Sequence, residues 1–233
     1  MKKQIIKKSI GILGGMGPQA SACLLNILID LSIKEFGAKD ADDFPEIILY
    51  SIPVSDFISD SNRKLKAFKM LKKRVIELNK CNISSISIAC NTAHVLIEKL
   101  QEASEVPFIS MIDEVARAVD NAQLGKVGIM GTPITIKSKL YQKALEKFNI
   151  ECAEPGESEL KILEKTIRSI IAGSANSNDK KLLLSIASKL KKRGAEGFVL
   201  GCTELPLIFP KVKLPVFNSL EILARSLLLN YYK

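Results

Sequence analysis

ISSISIACNTAH, residues 83–94, decides how this chain is read. Apolar residues crowd Ile83 to Ala89, the run stops at Cys90, and Asn91 and Thr92 separate it from an apolar-periodic stretch. That order predicts a buried strand that carries a cysteine to its C-terminal tip, with a helix from about Ala93 to Ala103 beyond it. FVLGCTELP, residues 198–206, repeats the construction: an apolar strand, a cysteine, a threonine. Two strands built alike, each ending in Cys and polar residues, are the main functional clue.

Outward from these strands, the chain alternates strand and helix signals. Ser9–Leu13 reads as a short strand, Gly14–Pro18 as a tight loop and Gln19–Phe36 as a helix, with Pro18 suited to the first turn. Glu46–Ile52 is a strand whose C-terminal loop carries Ser55, Asp56 and Ser59, and Arg63–Asn79 is a basic amphipathic helix. After Gly125 the pattern restarts: strand Lys126–Met130, tip Gly131–Pro133 and a helix over Ile134–Phe148. Helices over 159–172 and 180–193, the strand 197–200, a short strand at 216–217 and a final helix over 219–232 follow. The fold class expected is α/β: two similar parallel-sheet α/β domains, with the active site in the cleft between them. The glycine spacing GxxGGxG followed by Pro matches neither dinucleotide nor P-loop fingerprints, so it suits a small carboxylate or close loop packing.

Composition narrows the function classes. Of 233 residues, 47% are hydrophobic and 6% aromatic, enough for a large aliphatic core. The net charge of +9 comes mainly from lysines on helical stretches, without an arginine stripe or interleaved aromatics, so no nucleic-acid partner is expected. No stretch reads as a membrane span. Five cysteines without a CxxC, and a lysine-rich start that runs straight into the glycine turn, point to free thiols and a cytoplasmic setting. With a single histidine, a zinc site is not expected.

Cys90 and Cys202 share a strand-tip context that Cys23, Cys81 and Cys152 lack. Such a thiol can serve as nucleophile, metal ligand or acid/base group. A thiol hydrolase needs a base, and the lone His94 lies four residues after Cys90. Two opposed thiols suit another chemistry. A racemase removes an α-proton from one face and returns one to the other, so a thiolate and a thiol that exchange roles do the work without moving. The site must then stabilise an enediolate-like carboxylate.

GGMGP at 14–18, ACNTAH at 89–94, GTPIT at 131–135 and GCTELP at 201–206 together resemble the aspartate/glutamate racemase family, its aspartate racemase branch in particular. The resemblance spans essentially the whole chain. It implies a cofactor-independent amino-acid racemase, a homodimer, acting on a small-molecule amino acid, aspartate or glutamate. It implies a first domain over 1–115 completed by 213–233, and a second over 116–212. Carried over, Cys90 and Cys202 are the catalytic thiols. Asn91, Thr92 and Thr203 hold the α-carboxylate, Thr132 or Thr135 joins them, and Met16 lines the cleft. Glu204 orients groups near Cys202 or starts a helix. Departures concern the far end of the substrate. Phe57 stands where some members place an arginine after the Asp56 position. Arg63 and Arg168 are the candidate substitutes, Ile171 lies near a position where a lysine is usual, and Asn218 replaces an Asp. A hydrolase, isomerase or decarboxylase on the same scaffold, or a non-enzymatic binding protein, are the alternatives.

Overall fold

The computed structural model describes residues 8–54 and 63–233. Two four-stranded parallel sheets carry the chain. The first takes β1 (Ser9–Gly14), β2 (Ile47–Ser51), β3 (Ile83–Ile88) and β4 (Phe108–Ile109), in the order β2-β1-β3-β4. The second takes β5 (Lys126–Gly131), β6 (Glu151–Ala153), β7 (Gly197–Gly201) and β8 (Val216–Asn218), in the order β6-β5-β7-β8. The two orders are the same, so β1 corresponds to β5 and β3 to β7. This is the α/β arrangement of two similar parallel units expected from the sequence. Helices supply the crossovers except that from β7 to β8, which is a loop with one 3-10 turn, Leu205–Leu207.

The first and third strand of each unit are neighbours: Leu13 pairs with Ile88, and Gly131 with Gly201. The order in which strands are added reverses at these pairs, because β2 and β6 lie on the opposite side of β1 and β5. In open α/β sheets that reversal leaves a crevice beyond the carboxyl ends of the strands. The glycine loop after β1, Cys90 after β3, Thr132 after β5 and Cys202 after β7 all stand there.

Two helices exchange units. α4 (Met111–Asn121) follows β4, yet its Ile112, Val115, Ala116 and Val119 belong to one apolar cluster with Val127, Ile129 and Val199 of the second sheet. α9 (Ser219–Tyr231) follows β8, yet its Leu220, Leu223, Leu227 and Leu228 pack with Ile10 and Ile12 of β1 and with Leu24 and Leu28 of α1 (Pro18–Phe36). The stretch 213–233 therefore divides, β8 joining the second sheet and α9 covering the first. Each unit buries a helix from the other, which ties the two strand-tip edges together.

Several expected elements differ in form. The helix expected over Ala93–Ala103 is a 3-10 turn, Thr92–Leu96, followed by α3 (Ile97–Gln101). The reason is His94: its N–H bonds the carbonyl of Asn91 at 3.0 Å, an i to i−3 contact. The helix expected over Ile134–Phe148 is two, α5 (Pro133–Lys137) and α6 (Leu140–Glu146), because Lys139 is left-handed at φ 54°. That break turns α6 so that Tyr141 is completely buried beneath the crevice. α2 (Lys64–Leu78), α7 (Glu157–Ile171) and α8 (Ser177–Lys192) match their expected positions closely. Among the described residues no helix is long and apolar enough to cross a membrane.

Candidate active site

A cleft of about 330 Å³ opens where the strand tips of the two units meet. The first unit contributes Gly15, Met16, Gly17, Pro18, Val54, Cys90, Asn91 and Thr92. The second contributes Thr132, Arg168, Ile171, Ala172, Cys202, Thr203 and Glu204. Both thiols are nearly closed off from solvent, Cys90 at 8% exposure and Cys202 at 5%, and what remains open faces this cleft. Cys23, Cys81 and Cys152 do not line it.

Each thiol stands in a different electrostatic setting. Burial pushes Cys90 up to about 12, and the negative charge of Glu204 adds to the rise, while the backbone N–H groups of Ala93 and Thr92 pull it back. Burial raises Cys202 well above the usual thiol range, with the Glu204 charge and hydrogen bond next and the Cys90 charge also contributing. Its Sγ donates to Glu204 Oε2 at 3.0 Å. Charge on either thiol is thus disfavoured, and at Cys202 the Glu204 carboxylate within hydrogen-bond distance opposes it directly.

Thr92, Thr132 and Thr135 form a closed hydroxyl cluster across the two units. Oγ1 of Thr92 lies 2.9 Å from that of Thr132 and 3.2 Å from that of Thr135, and the last two are 2.9 Å apart. Thr132 also caps α5 by accepting from the Thr135 N–H at 3.1 Å. Thr92 and Thr132 reach the cleft, whereas Thr135 stands behind them. Thr203, on the Cys202 side, donates to Glu204 at 3.0 Å.

Asn91 and His94 are both tied into the surrounding structure. Asn91 lines the cleft, but its carboxamide is already engaged. Nδ2 donates to Ser219 Oγ at 3.0 Å, and Oδ1 accepts from the Tyr141 hydroxyl. Ser219 in turn donates to the Leu200 carbonyl at 3.0 Å. Asn91 therefore joins β3, α6 and α9, and the second N–H of its Nδ2 is the donor that its carboxamide has left for the cleft it lines. We expect Tyr141→Phe to leave Oδ1 of Asn91 without a buried donor and to cost about 1–3 kcal/mol. A urea midpoint unchanged from wild type would contradict this.

His94 is no base for Cys90. Nε2 accepts the Met111 N–H at 3.1 Å, which leaves Nδ1 to donate to the Cys90 carbonyl at 2.8 Å. Burial pulls its pKa down to about 4, so it stays neutral.

The glycine loop binds an anion from within the chain. Gly17 N–H donates to Glu204 Oε1 at 3.0 Å, and Gly15 N–H donates to Ser21 Oγ at 2.8 Å. Close loop packing, one of the two readings of GGMGP, is what is seen. Met16 and Val54 form one wall of the cleft, Ile171 and Ala172 the other. Arg168 stands at the rim and also bonds Glu164 at 3.0 Å. Arg63 is exposed just before α2 and is not among the described residues that line the cleft. Asp56 and Phe57 lie outside the described residues. Asn218 is the N-cap of α9, its Oδ1 accepting the Leu220 N–H at 3.1 Å. Asn and Asp cap about equally well, so the exchange there leaves the cleft untouched.

A sequence model of Asp/Glu/hydantoin racemases matches residues 13–227, which takes in both thiols and both units. The chain belongs to the Asp/Glu/hydantoin racemase family. The enzyme class expected from the motifs, an amino-acid racemase working without pyridoxal phosphate, is the class of this family. The chain is 26% identical over 227 residues to the broad specificity amino-acid racemase RacX of Bacillus subtilis, covering 95% of this chain and 97% of that protein. Among solved structures it resembles an aspartate racemase homologue from Pyrococcus horikoshii, with 30% identity and a TM-score of 0.81 over 97% of this chain and 100% of that one. The aspartate racemase of Picrophilus torridus superposes with a TM-score of 0.83 at 25% identity, over 97% of this chain and 95% of that one.

Sequence reasoning did not find Tyr141, Ser219, Val54 or Ala172. Tyr141 carried a signal: a tyrosine inside an apolar helix stretch needs a partner for its hydroxyl. The other three had none, since they reach the site only through the packing of the two units.

Proposed function

We propose that this family member interconverts the L and D forms of an amino acid by passing the α-proton between Cys90 and Cys202. The observation that carries this reading is the placement of the two thiols. They stand on corresponding strands of two like units and open on one cleft. A thiolate on one side takes the α-proton as H⁺, and the C–H electron pair stays on the carbon. The thiol on the other side gives its proton to the opposite face and becomes the thiolate. Thr92, Thr132 and Thr203 supply hydroxyl donors for the carboxylate that gathers charge on the way. A substrate ammonium group adds a positive charge beside the thiols, which favours thiolate formation once substrate is bound.

Aspartate or glutamate is the proposed substrate, with Arg168 the one cation among the described lining residues. A second reading, tolerance of neutral side chains, is favoured by the apolar walls of Met16, Val54, Ile171 and Ala172. Incubation of both enantiomers of acidic and neutral amino acids in D₂O, with no cofactor added, tests both. We expect α-deuterium uptake together with L/D interconversion and no change in composition. Release of ammonia or CO₂ instead would favour the hydrolase or decarboxylase readings, and no exchange with any amino acid would favour a binding protein. Assembly as a homodimer in the cytoplasm belongs to the same proposal. The line of exposed Leu25, Ile29 and Ile33 on α1 supports the dimer, which sedimentation tests.

A further inference from the structure

The one buried carboxylate among the described residues of the cleft has no part in the proton transfer just described. Glu204 is 2% exposed and accepts from three donors, each at 3.0 Å. Oε2 takes the Cys202 Sγ–H and the Thr203 hydroxyl. Oε1 takes the N–H of Gly17, the residue that caps the N-terminus of α1 in the other unit. Among the described residues Cys90 has no such partner; the backbone N–H groups of Ala93 and Thr92 face it instead.

We propose that Glu204 is a positioning residue that holds Cys202 as the proton-bearing thiol of the resting site and ties that thiol to the glycine loop across the cleft. Cys90 is then the group that starts as thiolate. Reaction in that direction protonates Cys90 and leaves the negative charge on Cys202, beside the Glu204 carboxylate. Repulsion there favours the return: Cys202 regains a proton from water and Cys90 releases one to water. Among the described residues the other titratable or charged groups facing Cys202 are few. Cys90 lies across the cleft, Tyr141 donates to Asn91 beneath it, and Arg168 stands at the rim. His94, behind Cys90, is neutral and bonded to backbone on both sides.

The catalytic consequence rests on the two-thiol reading, but a thiol-labelling readout does not. Iodoacetamide reacts with thiolates, and peptide mass spectrometry separates the two sites. The wild-type protein is expected to label more slowly at Cys202 than at Cys90 across neutral and mildly alkaline pH, although the two are about equally enclosed. Glu204→Gln removes the charge and is expected to speed Cys202 labelling by about tenfold or more, one unit of pKa being a tenfold change in thiolate. Glu204→Asp keeps the charge and is expected to leave Cys202 slow. The rise of kcat/KM with pH should move to lower pH in Glu204→Gln, with KM little changed.

Cys202 labelling within about twofold of wild type in a folded Glu204→Gln protein would overturn the proposal. So would equal acceleration by Gln and Asp, which would mean that loop opening and not charge is responsible. Should Glu204→Gln fail to fold, wild-type labelling as fast at Cys202 as at Cys90 overturns it equally. A wild-type protein without α-proton exchange removes the racemase reading and leaves the labelling result standing on its own.

Discussion

Cys90→Ala and Cys202→Ala are each expected to lower kcat for racemisation by about 10²–10⁴-fold, the contribution of a positioned acid or base. The upper end is expected here. Cys90 and Cys202 are the two thiols among the described lining residues, and His94, the nearest conventional base to Cys90, is locked to backbone at both nitrogens. A sharper signature accompanies the loss. With Cys202 gone, Cys90 still removes an α-proton and returns a solvent proton to the same face. One enantiomer then exchanges without inverting, and with Cys90 gone it is the other enantiomer that exchanges. Proton NMR in D₂O reads this directly. Exchange of the same enantiomer in both variants would rule out opposed thiols. The wild-type pH profile follows from the same geometry. In the free protein burial pushes Cys90 up to about 12, so its thiolate is scarce at neutral pH. Because kcat/KM reports the free enzyme, it should rise nearly tenfold per unit between about pH 6.5 and about 8.5. A profile flat over that range would mean that the reacting base is already ionised in the empty cleft.

Gly15→Ala is expected to destabilise the protein by about 2–4 kcal/mol, the range of strain combined with overpacking. Gly15 sits at φ +89°, and a Cβ there would lie 2.3 Å from the backbone N and 2.6 Å from the O of Ile52. Both contacts are with main chain, so no rotamer change relieves them. The chain after β2 cannot retreat without breaking the 3.0 Å bond from Ile52 N–H to the Gly14 carbonyl. Gly37→Ala provides the control. It shares a left-handed backbone, φ +74°, but a Cβ there meets nothing within 4 Å. Its cost should stay near about 1–2 kcal/mol, the left-handed penalty alone. Urea titrations with unchanged m-values would measure the difference. Since Met16 and Gly17 follow Gly15 into the cleft wall, catalytic activity should fall in Gly15→Ala and not in Gly37→Ala. Equal stability loss at both sites would show that the loop yields where the geometry says it cannot.

Much of this architecture was legible before any coordinates. Apolar runs ending in Cys90 and Cys202 located two strand tips, because a strand buried on both faces reads as a continuous apolar stretch and its end as an abrupt change. Alternation of strands and helices implied parallel pairing, and the motif order identified the family. The broken helix at Lys139 was not legible, since nothing in ITIKSKLYQK marks a left-handed residue and lysine does not favour one. Nor was the fate of Asn91. Its carboxamide bonds Tyr141 and Ser219, 50 and 128 residues away in the chain, and no local signal marks those partners.

Local sequence alone determined which residues reach the strand tips and that two of them are thiols, because the period of a strand and the position of its end are short-range properties. Only the tertiary structure decided what those residues do there. Exchange of α4 and α9 between units, the capture of the Glu204 carboxylate by Gly17, and the neutral locking of His94 all depend on groups far apart in the chain. Burial and distance set proton affinity and hydrogen-bond partnership, and neither exists until the two units close on one another.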